Sequence, residues 1–236
     1  MSFSPRKLAI VAALQREVSG LIQGSKRIER DCEGRKFTFF EREEMVIVCG
    51  GIGLEAARRA AEAVIALYHP KLVQSVGFAG ALQPGLRVGT IMVPAVVLDA
   101  RDGSRAEIAG GSGTLVTFMN VASPQQKSKL AQAYGAQAVD MEAAGVAAAA
   151  HAHGIAFCAV KVISDPMNFE MPDMTRFIDG QGRFRTISFA TYAALRPWLR
   201  PRVATLARDS RKAVAALERH LRHHRPANHM AEAKTR

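Results

Sequence analysis

AVDMEAAGVAAAAHAHGIAFCAVKVISD, residues Ala138 to Asp165, decides how this chain folds. Two polar clusters, Asp140-Met141-Glu142 and Ser164-Asp165, bracket a small-residue helix and an apolar strand. The helix is expected to begin near Asp140 or Glu142, to run through Ala143, Ala144, Val146 and the alanines Ala147 to Ala150, and to end at Gly154. Alanine is the best helix former, acidic residues suit the positive N-terminal end, and glycine suits the position after the last turn. So many alanines make a slim body that can approach a sheet closely. Ala156 to Ile163 reads as a nearly continuous apolar run, the pattern of a strand covered on both faces. Ser164-Asp165-Pro166 stops it, because proline cannot extend a central ladder and restricts the residue before it. Asp165 then stands at the carboxyl end of a buried strand, where open α/β sheets place ligands. Spacing alone explains it equally well as a loop residue capping a turn before Pro166.

Outward from this stretch the pattern alternates strands with helices. Lys7 to Ala13 is a compact apolar strand, and Glu17 stands just beyond its end, as Asp165 does beyond its own. Taken alone, Glu17 reads as a solvated first-turn carboxylate. Arg35 to Phe40 and Met45 to Cys49 form a hairpin pattern around the charged turn Glu41 to Glu44. Gly50-Gly51-Ile52-Gly53 follows, then a helix from Leu54 to Tyr68. A glycine-rich turn opening a helix can hold an anion on unsatisfied amides, although GGIG matches neither the dinucleotide fingerprint nor the P-loop. Leu72 to Gly77 is a further strand, and Phe78-Ala79-Gly80-Ala81-Leu82 reads as a second small-residue turn on the same side of the sheet. Arg87 to Leu98 supplies one or two strands, with Pro94 at an edge or bulge, and Asp99 to Gly113 reads as a polar, mobile loop. Thr114 to Met119 is a strand; Ser123-Pro124 starts a helix to Tyr134, with serine at the cap and proline in the first turn. Asn168 to Arg185 is a loop rich in Met, Phe and charge that could fold over a pocket, and Thr186 to Leu195 is helical.

The 236 residues suit one well-buried domain, and a hydrophobic fraction of 48% excludes a largely disordered chain. No apolar run approaches the roughly 20 residues of a membrane span, and the first residues lead into a strand without a signal-peptide core, so the expected location is cytoplasmic. Cys32, Cys49 and Cys158 are too dispersed for a disulfide framework or a zinc site. The net charge of +11 is concentrated at one end: 11 of the 32 Lys and Arg fall from Arg196 onward, against three acidic residues. The remaining body is close to neutral. Val203 to about His223 forms an amphipathic basic helix, whose apolar stripe docks on the domain or meets an anionic membrane surface. Nucleic acid is not expected, because no recognition module accompanies the charge. Residues 1–200 are read as one domain, 201–225 as this helix packed on or extending it, and 226–236 as a disordered tail.

Four separated segments resemble one family, the purine nucleoside phosphorylase and uridine phosphorylase superfamily that includes methylthioadenosine/S-adenosylhomocysteine nucleosidases. They are AALQREV at Ala12 to Val18, GGIG with its helix, VGFAGALQPGLRVGTIMV at Val76 to Val93, and VDMEAAG with VKVISD between Val139 and Asp165. The connection VASPQQKSKLAQAYGAQAVDME, the ISDP ending and the tail LARDSRKAVAALERH are most similar to the hopanoid-associated phosphorylase group, which includes adenosylhopane nucleosidase. The resemblance implies an α/β fold, a three-layer αβα sandwich with a twisted mixed central sheet, assembled as a homodimer. It implies hydrolysis of the N-glycosidic bond of a 5′-substituted adenosine, lipid-linked or of the methylthioadenosine/S-adenosylhomocysteine kind, with no cofactor and no metal.

In that implied chemistry Asp165 protonates or hydrogen-bonds N7 of the departing base, which calls for a carboxyl raised by a dry pocket. Glu142 accepts hydrogen bonds from the ribose hydroxyls and favours the cationic transition state, Met141 packs under the sugar, and Glu17 orients the attacking water with an ordinary carboxylate. Ser164, Phe78, Ala79 and Gly80 complete the substrate pocket, with Phe118 and Val121 as candidates to stack on the base, and Gly51 and Gly53 as a pocket for phosphate or water. Much of the superfamily has serine where this chain has Phe78, and phenylalanine cannot donate a hydrogen bond to phosphate. Hydrolysis is therefore expected over phosphorolysis, in which phosphate would be a co-substrate. The remaining alternative is an inactive nucleoside-binding scaffold at the inner membrane surface, reached through the basic C-terminal helix.

Overall fold

The computed structural model describes residues 8 to 224. Its central sheet is built from strands with little room for polar side chains: β1 (Leu8–Ala12) and β4 (Met45–Cys49) are apolar, β5 (Leu72–Ala81) is so apart from Gln74 and Ser75, and all three are largely buried on both faces. Side chains alternate across a strand, so such strands need cover on each side. Ala9 and Val11 of β1 meet one layer, made by α2 (Leu54–Tyr68) and α4 (Ala143–Ala152). Ile10 and Ala12 meet the other, where α6 (Arg200–His223) lays Ala213, Leu217 and Leu221 on the sheet. The apolar stripe of the basic helix is thus core, and its arginines face away from it. The result is a three-layer α/β sandwich with a mixed sheet, as expected.

Among the described residues eleven strands make one sheet, in the order β2-β3-β4-β1-β5-β10-β9-β7-β8, with β11 on β5 and β6 on β11. β2 (Lys26–Cys32), β3 (Arg35–Arg42) and β4 form an antiparallel meander, while β1 is parallel to β4 and β5. β11 (Ala156–Asp165) runs parallel to β5 along its whole length. The remaining strands are β6 (Ile91–Met92), β7 (Val96–Asp99), β8 (Arg105–Glu107), β9 (Thr114–Thr117) and β10 (Ala138–Asp140). The other helices are α1 (Ser19–Ile22), α3 (Pro124–Tyr134) and α5 (Thr186–Ala194). Ser123 caps α3, its side chain accepting from the Gln126 amide.

Three expectations need correction, and one strand was not anticipated. Phe78, Ala79 and Gly80 lie inside β5 and not in a turn, because β11 and β10 supply ladder partners as far as Ala81. Of the two starts expected for the alanine-rich helix, Asp140 is excluded because Ala138–Asp140 is a strand parallel to β9, while Glu142 is the residue that caps α4 at Ala143. The polar stretch after Asp99 contains β8, which pairs with β7 despite carrying two exposed charged residues. β2 had no sequence signature, since its side chains are exposed or half-buried and its partner β3 dictates its conformation. The tail expectation for 226–236 lies outside the described residues.

β5 creates the site by changing partners. On one edge Leu72 to Val76 pair with β1, while Gly80 and Ala81 pair with β10. Between them that edge is open, and the carboxylate of Glu17 fills the gap: a side-chain carbon on Gly77 would lie 3.1 Å from Glu17 Oε2. Close approach also governs the helical layer, because a methyl group on Gly145 of α4 would fall 2.3 Å from the carbonyl oxygen of Leu54. Gly145→Ala is expected to destabilise the fold by about 1–3 kcal/mol through overpacking, although alanine is the better helix former. A urea midpoint equal to or above that of the wild type would contradict this packing.

Candidate active site

One cavity collects residues from the ends of β1, β5, β10 and β11. Glu17, Phe78, Ala79, Gly80, Val121, Met141, Glu142, Ser164 and Asp165 all line it, which brings together most of the residues expected from sequence. Met171, Met174, Ile178 and Phe184 from the loop after β11, with Leu206 of α6, add an apolar wall.

Glu17 is 3% exposed, and its Oε2 accepts from the amides of Ala13 at 3.1 Å and Leu14 at 3.0 Å. Burial pushes its carboxyl up, against the opposing pull of the Leu14 amide, Lys161 and Arg16. The ordinary carboxylate expected from sequence is thus a perturbed one, and a raised carboxyl is the stronger base. Glu142 closes the N-terminus of α4. Its Oε1 accepts from the Gly53 amide at 2.9 Å, and burial followed by the nearby Asp140 charge pushes it up to about 7.

Beneath these two glutamates lies a charge that the apolar reading of β11 passed over. Lys161 is 1% exposed and its Nζ stands 2.8 Å from Asp140 Oδ2. Burial alone would lower the Lys161 ammonium, but Asp140, Glu142 and Glu17 outweigh it and leave it raised. Asp140 also accepts from Thr117 Oγ1 at 2.6 Å and from the Ala143 amide at 2.8 Å, so it is fixed from three directions. A lone lysine in a buried apolar run was the available signal.

At the other end of the cavity Asp165 accepts on both oxygens. Ser164 Oγ donates to Oδ1 at 2.7 Å, and Lys127 Nζ donates to Oδ2 and, at 2.8 Å, to the Pro166 carbonyl. Lys127 is 2% exposed and comes from α3, where nothing in PQQKSKL distinguished it from its polar neighbours. Within the buried pocket expected from sequence, Asp165 thus has an ion-pair partner in this ammonium.

Two expected roles, held by three residues, find no geometry. The Gly51 amide donates to the Ala13 carbonyl at 3.0 Å and the Gly53 amide to Glu142, so neither is open to phosphate. Phe118 packs with Leu82, Leu98 and Leu130 and does not reach the cavity. Alternation explains this, since Thr117 points to Asp140 and its neighbour must point away. Phe78 does line the cavity, with the Arg16 guanidinium 5.8 Å from its ring centroid. Burial pushes the Cys49 thiol up to about 12 and Cys158 up to about 11, so neither is a nucleophile near neutral pH. Among the described residues no cluster of His, Cys, Asp and Glu is arranged to hold a metal ion.

The raised Glu142 has a sign that can be tested. Its folded pKa lies above the unfolded value of 4.5, so the stability it contributes is full below pH 4.5 and is lost as pH rises through about 7. Glu142→Gln is therefore expected to raise the melting temperature at pH 8 and to lose that advantage near pH 4.5. A variant less stable than wild type at pH 8 would contradict the assignment.

The family model described as the phosphorylase superfamily matches residues 7–120 and 111–189. No curated protein matches the chain significantly. Among solved structures, apo 5′-methylthioadenosine nucleosidase from Arabidopsis thaliana is similar with a TM-score of 0.69 and 17% identity, over 92% of this chain and 93% of that one. A complex of Helicobacter pylori 5′-methylthioadenosine/S-adenosylhomocysteine nucleosidase gives 0.66 and 16%, over 94% and 100%. Native futalosine hydrolase from Helicobacter pylori gives 0.64 and 16%, over 90% and 96%. At these identities the likeness is one of fold.

Proposed function

The chain belongs to the phosphorylase superfamily, and from that premise we propose that it is a nucleosidase, hydrolysing the N-glycosidic bond of a 5′-substituted adenosine to release adenine. The observation that carries this reading is the division of one cavity between two kinds of buried carboxylate. Glu17 and Glu142 stand at one end with raised pKa, and Asp165 stands at the other on Lys127. Breaking the bond from ribose C1′ to N9 develops positive charge on the sugar and negative charge on the base. Glu142 accepts from the ribose hydroxyls beside Met141, and its charge favours the cationic sugar. Glu17 takes a proton from the attacking water. Asp165 faces N7 of the departing base, next to Ser164. Hydrolysis is favoured over phosphorolysis because the Gly51 and Gly53 amides are already bonded and Phe78 offers no hydroxyl.

The test is adenine release from methylthioadenosine, S-adenosylhomocysteine, adenosine and a long-chain 5′-alkyl adenosine, each with and without phosphate. Phosphate-independent release is expected, with Asp165→Asn at least about tenfold slower. Release that requires phosphate would make the chain a phosphorylase, and release from none of them would leave a binding scaffold.

The apolar wall of Met171, Met174, Ile178 and Leu206 favours an apolar 5′ substituent, and a second observation favours a lipid-linked one. Ile187, Leu195 and Trp198 are 83%, 73% and 70% exposed, on α5 and the turn leading to α6. Arg185, Arg196, Arg200 and Arg202 accompany them in sequence. Exposed aromatic and aliphatic side chains among arginines suit the interface of an anionic bilayer. The contact surface in this reading is the α5–α6 junction, because the apolar stripe of α6 is spent on the core. Among the described residues no helix is long and apolar enough to cross a membrane. Trp198→Glu combined with Leu195→Glu is expected to abolish co-sedimentation with phosphatidylserine-containing vesicles while preserving adenine release from methylthioadenosine. Unchanged vesicle binding would remove the membrane from the account.

A further inference from the structure

We propose that Lys127 supplies the proton that the departing base receives, with Asp165 passing it on. The inference rests on the nucleosidase reading above and concerns the origin of one proton. Purine nitrogen leaves poorly as an anion, so the reaction needs an acid at the base end of the cavity. Asp165 occupies that end, yet Ser164 Oγ donates to one of its oxygens and Lys127 Nζ to the other. Both Asp165 oxygens are therefore engaged by donors, and one of these donors is an ammonium that can itself give a proton. The adjacent proton belongs to Lys127, whose ammonium is buried, lines the same cavity and is anchored by the Pro166 carbonyl at 2.8 Å. Burying an ion pair costs free energy that a well-packed apolar pair would avoid, so its presence at the base end favours a chemical use over a packing one.

The step balances as follows. The C1′–N9 bond breaks with its electron pair going to the base. A proton moves from Lys127 Nζ to the Asp165 carboxylate, and one moves from Asp165 to N7, leaving a neutral amine and a neutral base. Water attacks C1′ and gives a proton to Glu17; after the products depart Glu17 releases that proton to solvent and a proton from solvent restores the Lys127 ammonium. Lys127 is a positioning and proton-supplying residue acting through Asp165.

Lys127→Arg separates this role from a structural one. Arginine keeps the positive charge and pairs with carboxylates, but it does not release a proton in proteins. The comparison uses two probes, methylthioadenosine, whose base must be protonated to leave, and an N7-methylated purine nucleoside, whose base leaves neutral without a proton. Lys127→Arg is expected to slow the first at least about tenfold more than the second. Lys127→Met, which has no proton to give and no charge, is expected to show the same bias and serves if arginine does not fit. Equal losses on both probes, or full rescue of methylthioadenosine cleavage by arginine, would overturn the inference alone. A wild-type protein that releases base from neither probe would sink the nucleosidase reading and the inference with it.

Discussion

A single buried cation holds the centre of this molecule together. Lys161 is surrounded by Asp140, Glu142 and Glu17, three carboxylates brought inside by three different elements. Without it, strands β10 and β11 and the turn after β1 would converge on uncompensated negative charge, which a protein interior does not tolerate. Its shortest contact, 2.8 Å to Asp140, ties β11 to the strand whose end launches α4. Asp140 in turn accepts from the Ala143 amide and so fixes the first turn of that helix. The placement of Glu142 at the head of α4 follows. One lysine thus sets both the start of a helix and the electrostatics of the site, leaving Glu142 raised to about 7 and not higher.

The second constraint is steric. β5 has to be narrow where it exchanges β1 for β10, because Glu17 enters the gap in its edge. Gly77 provides the room, and Phe78 follows it along the cavity wall. The Gly51 and Gly53 amides, which in isolation resemble an anion cradle, are consumed in joining the β4 end to β1 and α4. The same main-chain bonds that align the carboxylates therefore remove the most obvious seat for phosphate.

Much of the fold was legible because burial writes itself into composition. β1, β4, β5 and β11 are apolar runs, α2 and α4 are alanine-rich, and Ser123-Pro124 announces α3. β2 was not legible, because its conformation comes from β3 and its side chains are exposed or only half-buried. Asp165 and Glu17 could be picked out as carboxylates just beyond strand ends, and Glu142 as an acidic residue at the head of the alanine-rich helix. Their partners could not. Lys161 was absorbed into an apolar run, and Lys127 looks like any other polar residue of a surface helix until α3 is laid beside the end of β11. Which amides remain free is likewise a property of tertiary pairing, so GGIG read locally overstated its openness. Phe118 was misplaced for a simpler reason: at a strand end the face of one residue is fixed by its neighbour.

The most direct measurement is a single turnover of methylthioadenosine in water enriched in oxygen-18, without phosphate, with the sugar product examined by mass spectrometry. Hydrolysis by water held at Glu17 predicts one labelled oxygen, located at C1 of the sugar, together with free adenine. An unlabelled sugar 1-phosphate formed once phosphate is added, with no cleavage in its absence, would contradict it.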